Sequence, residues 1–247
     1  MSKRHVGKTC VYCGTSPAAT MDHVFAREFL LVSRRANLPK VPACSTCNGI
    51  KSGHEHYLTA VLPFASNHQD AAAVLSQMVE RRLDKNTKLK RRLVTGHQQE
   101  LTLQNGILVP AMTLPFDGDR VGELFKFITQ GLLYHHLGVI LDRQKHGVWA
   151  GLLNRAGEEV HRKLLSQNAR ARVKGDVGGG ALVYEGAQGV DFPEMSIWIF
   201  HLFGGIRTSG DAHEPEAATR MVGGLTASQR ALKLLDDGHG TDSPGAA

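Results

Sequence analysis

The chain contains no run approaching the 18 to 20 uninterrupted apolar residues, roughly, that a membrane helix requires. Its longest apolar stretches, Gly131–Leu141 and Met195–Ile206, are broken by His135, His136 and His201. The start, Met1-Ser2-Lys3-Arg4-His5, is followed by no apolar segment, so a secretory leader is not expected. Internal repeats are absent. Gly178-Gly179-Gly180 lacks the following lysine of a phosphate loop and reads as a flexible joint. These absences point to a soluble, cytoplasmic protein that does not engage a membrane. What is present suffices for a real core: 247 residues, 42% of them apolar, which rules out a disordered chain.

Charge is unevenly spread. Residues 1–100 carry 15 Lys and Arg against 7 Asp and Glu, whereas the remaining 147 carry 14 against 16. A basic front half suits a polyanionic partner. Cysteine is equally segregated: Cys10-Val-Tyr-Cys13 and Cys44-Ser-Thr-Cys47 hold all four cysteines of the chain. Two such pairs with none left over read as four thiolates around one structural zinc, each knuckle presenting two sulfurs from one tight turn. About thirty residues separate the pairs, more than in a plain zinc ribbon, so something is inserted between the halves of the metal site.

The pattern divides the chain into a metal module (1–60), a basic helical segment (61–100), a mixed C-terminal domain (101–235) and a disordered tail (236–247). A helix is expected over 68–93, ending at Gly96, and its run from Arg81 to Arg92 is the densest in charge. A hairpin is expected over Leu101–Thr113 with its turn at Asn105-Gly106. An apolar helix capped by Asp119 should run to Leu141, then a polar helix over Trp149–Arg172, then buried strands at Ala181–Tyr184 and Met195–Phe203. His135-His136, Trp149 and Trp198 read as core residues. The fold class is α+β: a small zinc-stapled module followed by a helix-rich α/β domain.

Chemistry concentrates between and just after the knuckles. Met21-Asp22-His23-Val24 lies in the insertion, and Asn48 follows Cys47 directly. On a strand, Asp22 and His23 face opposite sides of the pleat. Asn48 lies where a knuckle opens a helix, with Thr46 or Asn48 as the expected cap. Zinc would tie Cys47 to Cys10 and Cys13 and so hold Asn48 near the strand carrying Asp22 and His23. His54, Glu55 and His56 are weaker candidates, since Glu55 is seven residues, about 10 Å, beyond Asn48 on a helix.

The order Cys10-x-x-Cys13, Asp22-His23, Asn37-Leu38, Cys44-x-x-Cys47-Asn48 and Lys51 resembles the four-cysteine branch of the HNH endonucleases, which have a ββα-metal fold. The resemblance covers about residues 9–58. It implies His23 as general base, Asp22 and Asn48 as holders of a catalytic Mg²⁺ or Mn²⁺ ion, and Asn37 as the residue orienting the loop and His23. Asn stands at the final position where the family name has His, a familiar variant that keeps an oxygen ligand. Such modules serve restriction, phage packaging, homing and anti-phage defence. Lys51, Arg81, Arg82 and Lys88 are the expected contacts to nucleic-acid phosphate. DNA is the expected substrate, with RNA left open, as is a homodimer for double-strand cleavage. A catalytically silent zinc module that binds nucleic acid or protein is the competing reading.

Overall fold

The structure, a computed structural model, describes residues 5–66, 68–104, 107–167, 172–207 and 219–238. At the front, β1 (Thr20–His23) pairs antiparallel with β2 (Lys40–Ala43), placing Asp22 opposite Val41 and His23 opposite Lys40. Two short 3-10 turns fill the connection, and Asn37 completes it with φ +57°, a left-handed conformation that Asn tolerates better than most residues. Helix α1 (Ser45–Val61) follows β2 directly.

The segment expected as one helix over 68–93 is interrupted. Helix α2 (Ala71–Val74) widens into a π turn (Leu75–Val79), α3 (Glu80–Lys85) stops at Asn86, and α4 (Thr87–Gly96) begins there. The Asn86 side chain accepts from the Leu89 amide and caps α4, which is why a charge run with unbroken helical propensity nevertheless divides. Strands β3 (Gln98–Gln104) and β4 (Ile107–Thr113) form the expected hairpin; its turn, Asn105-Gly106, lies outside the described residues.

The C-terminal region is built on a five-stranded, wholly antiparallel sheet in the order β5 (His146–Leu152), β11 (Val222–Ser228), β8 (Ser196–Leu202), β7 (Leu182–Gln188) and β6 (Arg172–Val177). Two-residue strands β9 (Ile206–Arg207) and β10 (Thr219–Arg220) pair beside it. Trp149, expected to open a helix, lies in β5; the polar helix, α6, is confined to Arg155–Gln167. The glycine triplet is the tight β6–β7 turn, each residue at positive φ. Asp236 to Gly238 finish helix α7 (Gln229–Gly238), and the rest of the expected tail lies outside the described residues.

Helix α5 (Gly118–Leu137) organises these parts. Asp117, not Asp119, caps it, accepting from the Arg120 amide, and Gly138 at φ +71° ends it short of Leu141. Val121, Leu124, Phe125, Ile128, Leu132 and Leu133 are all inaccessible, as befits a helix covered on most of its circumference. On one side it meets the sheet: Thr129 approaches Gly224, and Phe125 packs edge-on to Phe200 at 4.9 Å. On the other it meets the front: Phe127 lies edge-on to Tyr12 at 5.0 Å, and Gly131 leaves room for Val24. Helix α6 covers the opposite sheet face through Leu153, Leu165, Ile197 and Ile199. With both faces covered, β8 reads as the uninterrupted apolar run Ile197–Phe200. Front and C-terminal residues thus share one buried cluster, from Cys10 to Val222.

Phe25 sits at this junction, 1% exposed and 5.6 Å from the Tyr184 ring. Phe25→Ala should cost about 3–5 kcal/mol in urea denaturation, with tryptophan fluorescence and circular dichroism moving together. Early loss of the front alone, with the sheet intact, would show two independent units.

Burial holds the His161 imidazole below its ordinary pKa, against the raising effect of its bond to the Gly157 carbonyl. The unfolded chain therefore takes up more protons, so this contribution is full above the unfolded value of about 6.5 and is lost as pH falls. The urea midpoint should drop between pH 7.5 and 5.5, and less steeply in His161→Gln; equal slopes would contradict the assignment.

Candidate metal centre and the polar network beside it

The four cysteines, distant in sequence, come together: one sulfur from each of Cys10, Cys13, Cys44 and Cys47 lies within 4.8 Å of the others. The first knuckle turns through Gly14 at φ +73°, whose amide donates to the Cys10 carbonyl. It docks on the hairpin because the Val11 amide donates to the Pro42 carbonyl at 3.0 Å. In the second, Cys44 itself is the helix cap, its sulfur accepting from the Cys47 amide at 3.4 Å; the expected caps, Thr46 and Asn48, are displaced because sulfur takes the place of the usual oxygen.

The donor chemistry fits a metal ion such as zinc. A tetrahedral site with Zn–S bonds of about 2.3 Å sets its sulfurs roughly 3.8 Å apart, close to the observed clustering. Burial raises the Cys13 thiol, but amide hydrogen bonds from Thr15 and Ser16 outweigh it and bring the pKa down to about 6. Cys10 is pushed up by burial, and Cys47 strongly up by burial and by the neighbouring cysteines. Four thiolates at this distance repel one another, and a cation at their centre removes that cost.

Beside the cluster lies a polar network centred on Lys51, which is wholly inaccessible. Its ammonium donates to the His23 carbonyl (2.7 Å) and to Glu55 (2.5 Å), and pairs with Asp22 Oδ2 at 3.0 Å. The Lys51–Glu55 pair follows from i,i+4 spacing on α1. The expected contact of Lys51 with phosphate is therefore corrected: its three donors are turned inward, where a buried ammonium must be paired. Burial raises the Glu55 pKa despite Lys51, and this residue, weighed only as a metal ligand, instead anchors the lysine.

Tyr12, between the first two cysteines, is 3% exposed and donates from its hydroxyl to Asp22 Oδ2 at 2.6 Å. Sequence reasoning missed it, because nothing in the motif separates a core tyrosine from a ligand to Asp22. Both contacts fall on Oδ2; among the described residues Asp22 Oδ1 takes no hydrogen bond.

His23 ends β1, half-buried. Burial, then the positive charges of Lys40 and Arg27, lower its pKa against the raising effect of Asp22, so the imidazole is neutral at neutral pH. Asn48, in the first turn of α1, is half-buried, and its amide donates to the Cys44 carbonyl at 3.0 Å. Asn37 is exposed; no hydrogen bond joins it to His23 among the described residues.

The basic segment divides in use. Arg82 donates to the carbonyls of Thr59 and Glu28, each at 2.8 Å; it tethers α3 to the front, which corrects its assignment as a phosphate contact. Arg81, Lys88, Arg91 and Arg92 are exposed. Lys90 pairs with Asp84 and borders an apolar groove of about 290 Å³ lined by Leu83, Leu93, Val94, Met112 and Leu114. His136 is hydrogen-bonded to the Tyr184 hydroxyl at 2.9 Å, whereas His135 is exposed. No helix among the described residues is long and apolar enough to cross a membrane.

Comparison with protein-family models, with curated proteins and with solved structures gives no match.

Metal analysis of protein purified without chelator should find one zinc per chain, and Cys44→Ser should lose both the metal and the native front. A stable Cys44→Ser protein with unchanged far-ultraviolet dichroism and melting temperature would contradict the role of the cluster.

Proposed function

We propose that the chain is a metal-dependent endonuclease of the HNH type that hydrolyses phosphodiester bonds in DNA, with zinc in the four-cysteine cluster. The observation that carries this reading is a two-stranded hairpin followed at once by a helix, clamped at one end by four sulfurs. Asp22 and His23 lie at the end of the first strand, and Asn48 in the first turn of the helix. A zinc-stapled binding module has no need of that second set.

Asp22 and Asn48 offer hard oxygen donors, one charged and one neutral, the set that magnesium or manganese accepts while keeping several waters. Lys51 and Tyr12 both meet Asp22 Oδ2, and among the described residues Oδ1 takes no hydrogen bond. When bound there, such an ion would stabilise charge on the scissile phosphate and the leaving oxygen. His23, kept neutral, accepts the proton of the attacking water. The backbone of His23 is held by Lys51 through its carbonyl, which fixes the end of β1 while the ring takes the proton. Arg81 and Lys88 are exposed and contact the nucleic-acid backbone without reading sequence.

A second reading rests on the same carboxylate. Asp22 is already paired with Lys51 and bonded by Tyr12, as a purely structural residue would be, and the chain would then be a silent zinc module binding nucleic acid or protein.

Supercoiled plasmid with Mg²⁺ or Mn²⁺ separates the two. The nuclease reading expects nicking by the wild type that EDTA stops, a loss of about 10² to 10⁴ in rate for His23→Ala, and a comparable loss for Asn48→Ala. Equal relaxation by wild type and His23→Ala would dismiss it.

A further inference from the structure

Tyr12 occupies an unusual place. It lies within the first knuckle, flanked by two cluster cysteines, yet its side chain reaches the carboxylate of the adjoining network. Its ring is fixed by burial and by edge-on contact with Phe127, 5.0 Å between centroids and 84° between planes. An ordinary phenol keeps its proton at neutral pH, so the hydroxyl is the donor in its 2.6 Å bond to Asp22. The carboxylate it holds is also met by Lys51, on the same oxygen. Two donors arriving on Oδ2 from different elements, the knuckle and α1, restrict rotation about the Asp22 side chain.

We infer that Tyr12 is a positioning residue: its hydroxyl holds Asp22 by Oδ2 so that Oδ1 is presented as a ligand to the divalent ion. The sulfur cluster is thereby linked to the ion site by one side chain, and not only by the general clamping of the fold. This inference rests on the nuclease reading for the existence of the ion site. Phenylalanine at position 12 keeps the ring and its packing and removes only the donor. Asp22 would then be restrained by Lys51 alone, and a two-ligand site, which depends on preorganisation, would weaken.

The test is Mn²⁺ affinity, measured by electron paramagnetic resonance on the zinc-loaded full chain, with zinc content and melting temperature alongside. Wild type should bind one Mn²⁺ that Asp22→Asn abolishes. Tyr12→Phe should keep one zinc and bind Mn²⁺ at least tenfold more weakly, with a lower kcat and an unchanged KM for plasmid DNA. Phe127→Leu, which loosens the packing and leaves the hydroxyl, should lower the melting temperature and leave Mn²⁺ affinity within twofold. If Tyr12→Phe loses zinc, 4-aminophenylalanine and 4-methylphenylalanine at position 12 replace it; they match in size and differ in the donor, and a tenfold difference in affinity is expected. Equal Mn²⁺ affinity in wild type and Tyr12→Phe, or in that pair, overturns the inference and leaves the nuclease reading standing. Absence of any Asp22-dependent Mn²⁺ binding in the wild type overturns the ion site itself, and the inference with it.

Discussion

Four thiol sulfurs within 4.8 Å of one another are the constraint on which the front of this protein depends. Together as thiolates they repel; around a cation they draw a loop, a hairpin and a helix to one point. The loop contributes Cys10 and Cys13, and the turn from β2 into α1 contributes Cys44 and Cys47. Because Cys44 also caps α1, the cluster sets where the helix begins, and so where Asn48 sits. A short hairpin of four-residue strands is at best marginal alone. Here it is braced by the cluster at one end and by the buried Lys51 network along its side.

The second brace is α5, whose apolar circumference faces the antiparallel sheet on one side and the front on the other. Tyr12 and Val24 meet α5, while Phe25 and Phe29 reach Tyr184 and Phe203. The polar network therefore lies on a rigid foundation that the front residues could not bury by themselves. This gives the C-terminal region, for which no motif suggests a chemical task, a physical one: it completes the core beneath the site.

Much of the front was legible because its signals are local and chemical. Two cysteine pairs with none left over point to a metal cluster, and the strand expected to carry Asp22-His23 and the helix expected to open near Asn48 are present. The errors share a cause, namely that tertiary partners decide what a side chain does. Lys51 reads as a surface lysine until Asp22, Glu55 and the His23 carbonyl surround it, and Arg82 as one of many basic residues until it finds two carbonyls. Strand β5 was hidden by glycines and by Trp149, and β11 by Gly223-Gly224, whose missing side chains admit His161 and Thr129 from the two covering helices. Such strands are defined by what packs on them, not by their own alternation. Asn86 shows the reverse: a single local hydrogen bond divides what periodicity joins.

The central proposal is that a sulfur-bound ion and an oxygen-bound ion would sit side by side on this hairpin and helix. Anomalous diffraction from crystals grown with Mn²⁺, recorded at the zinc and manganese edges, tests it most directly. The account requires a zinc peak among the four sulfurs and a manganese peak at the side chains of Asp22 and Asn48. A zinc peak alone, with the ring of His23 directed away from Asn48 and no space between them for an ion, would contradict it.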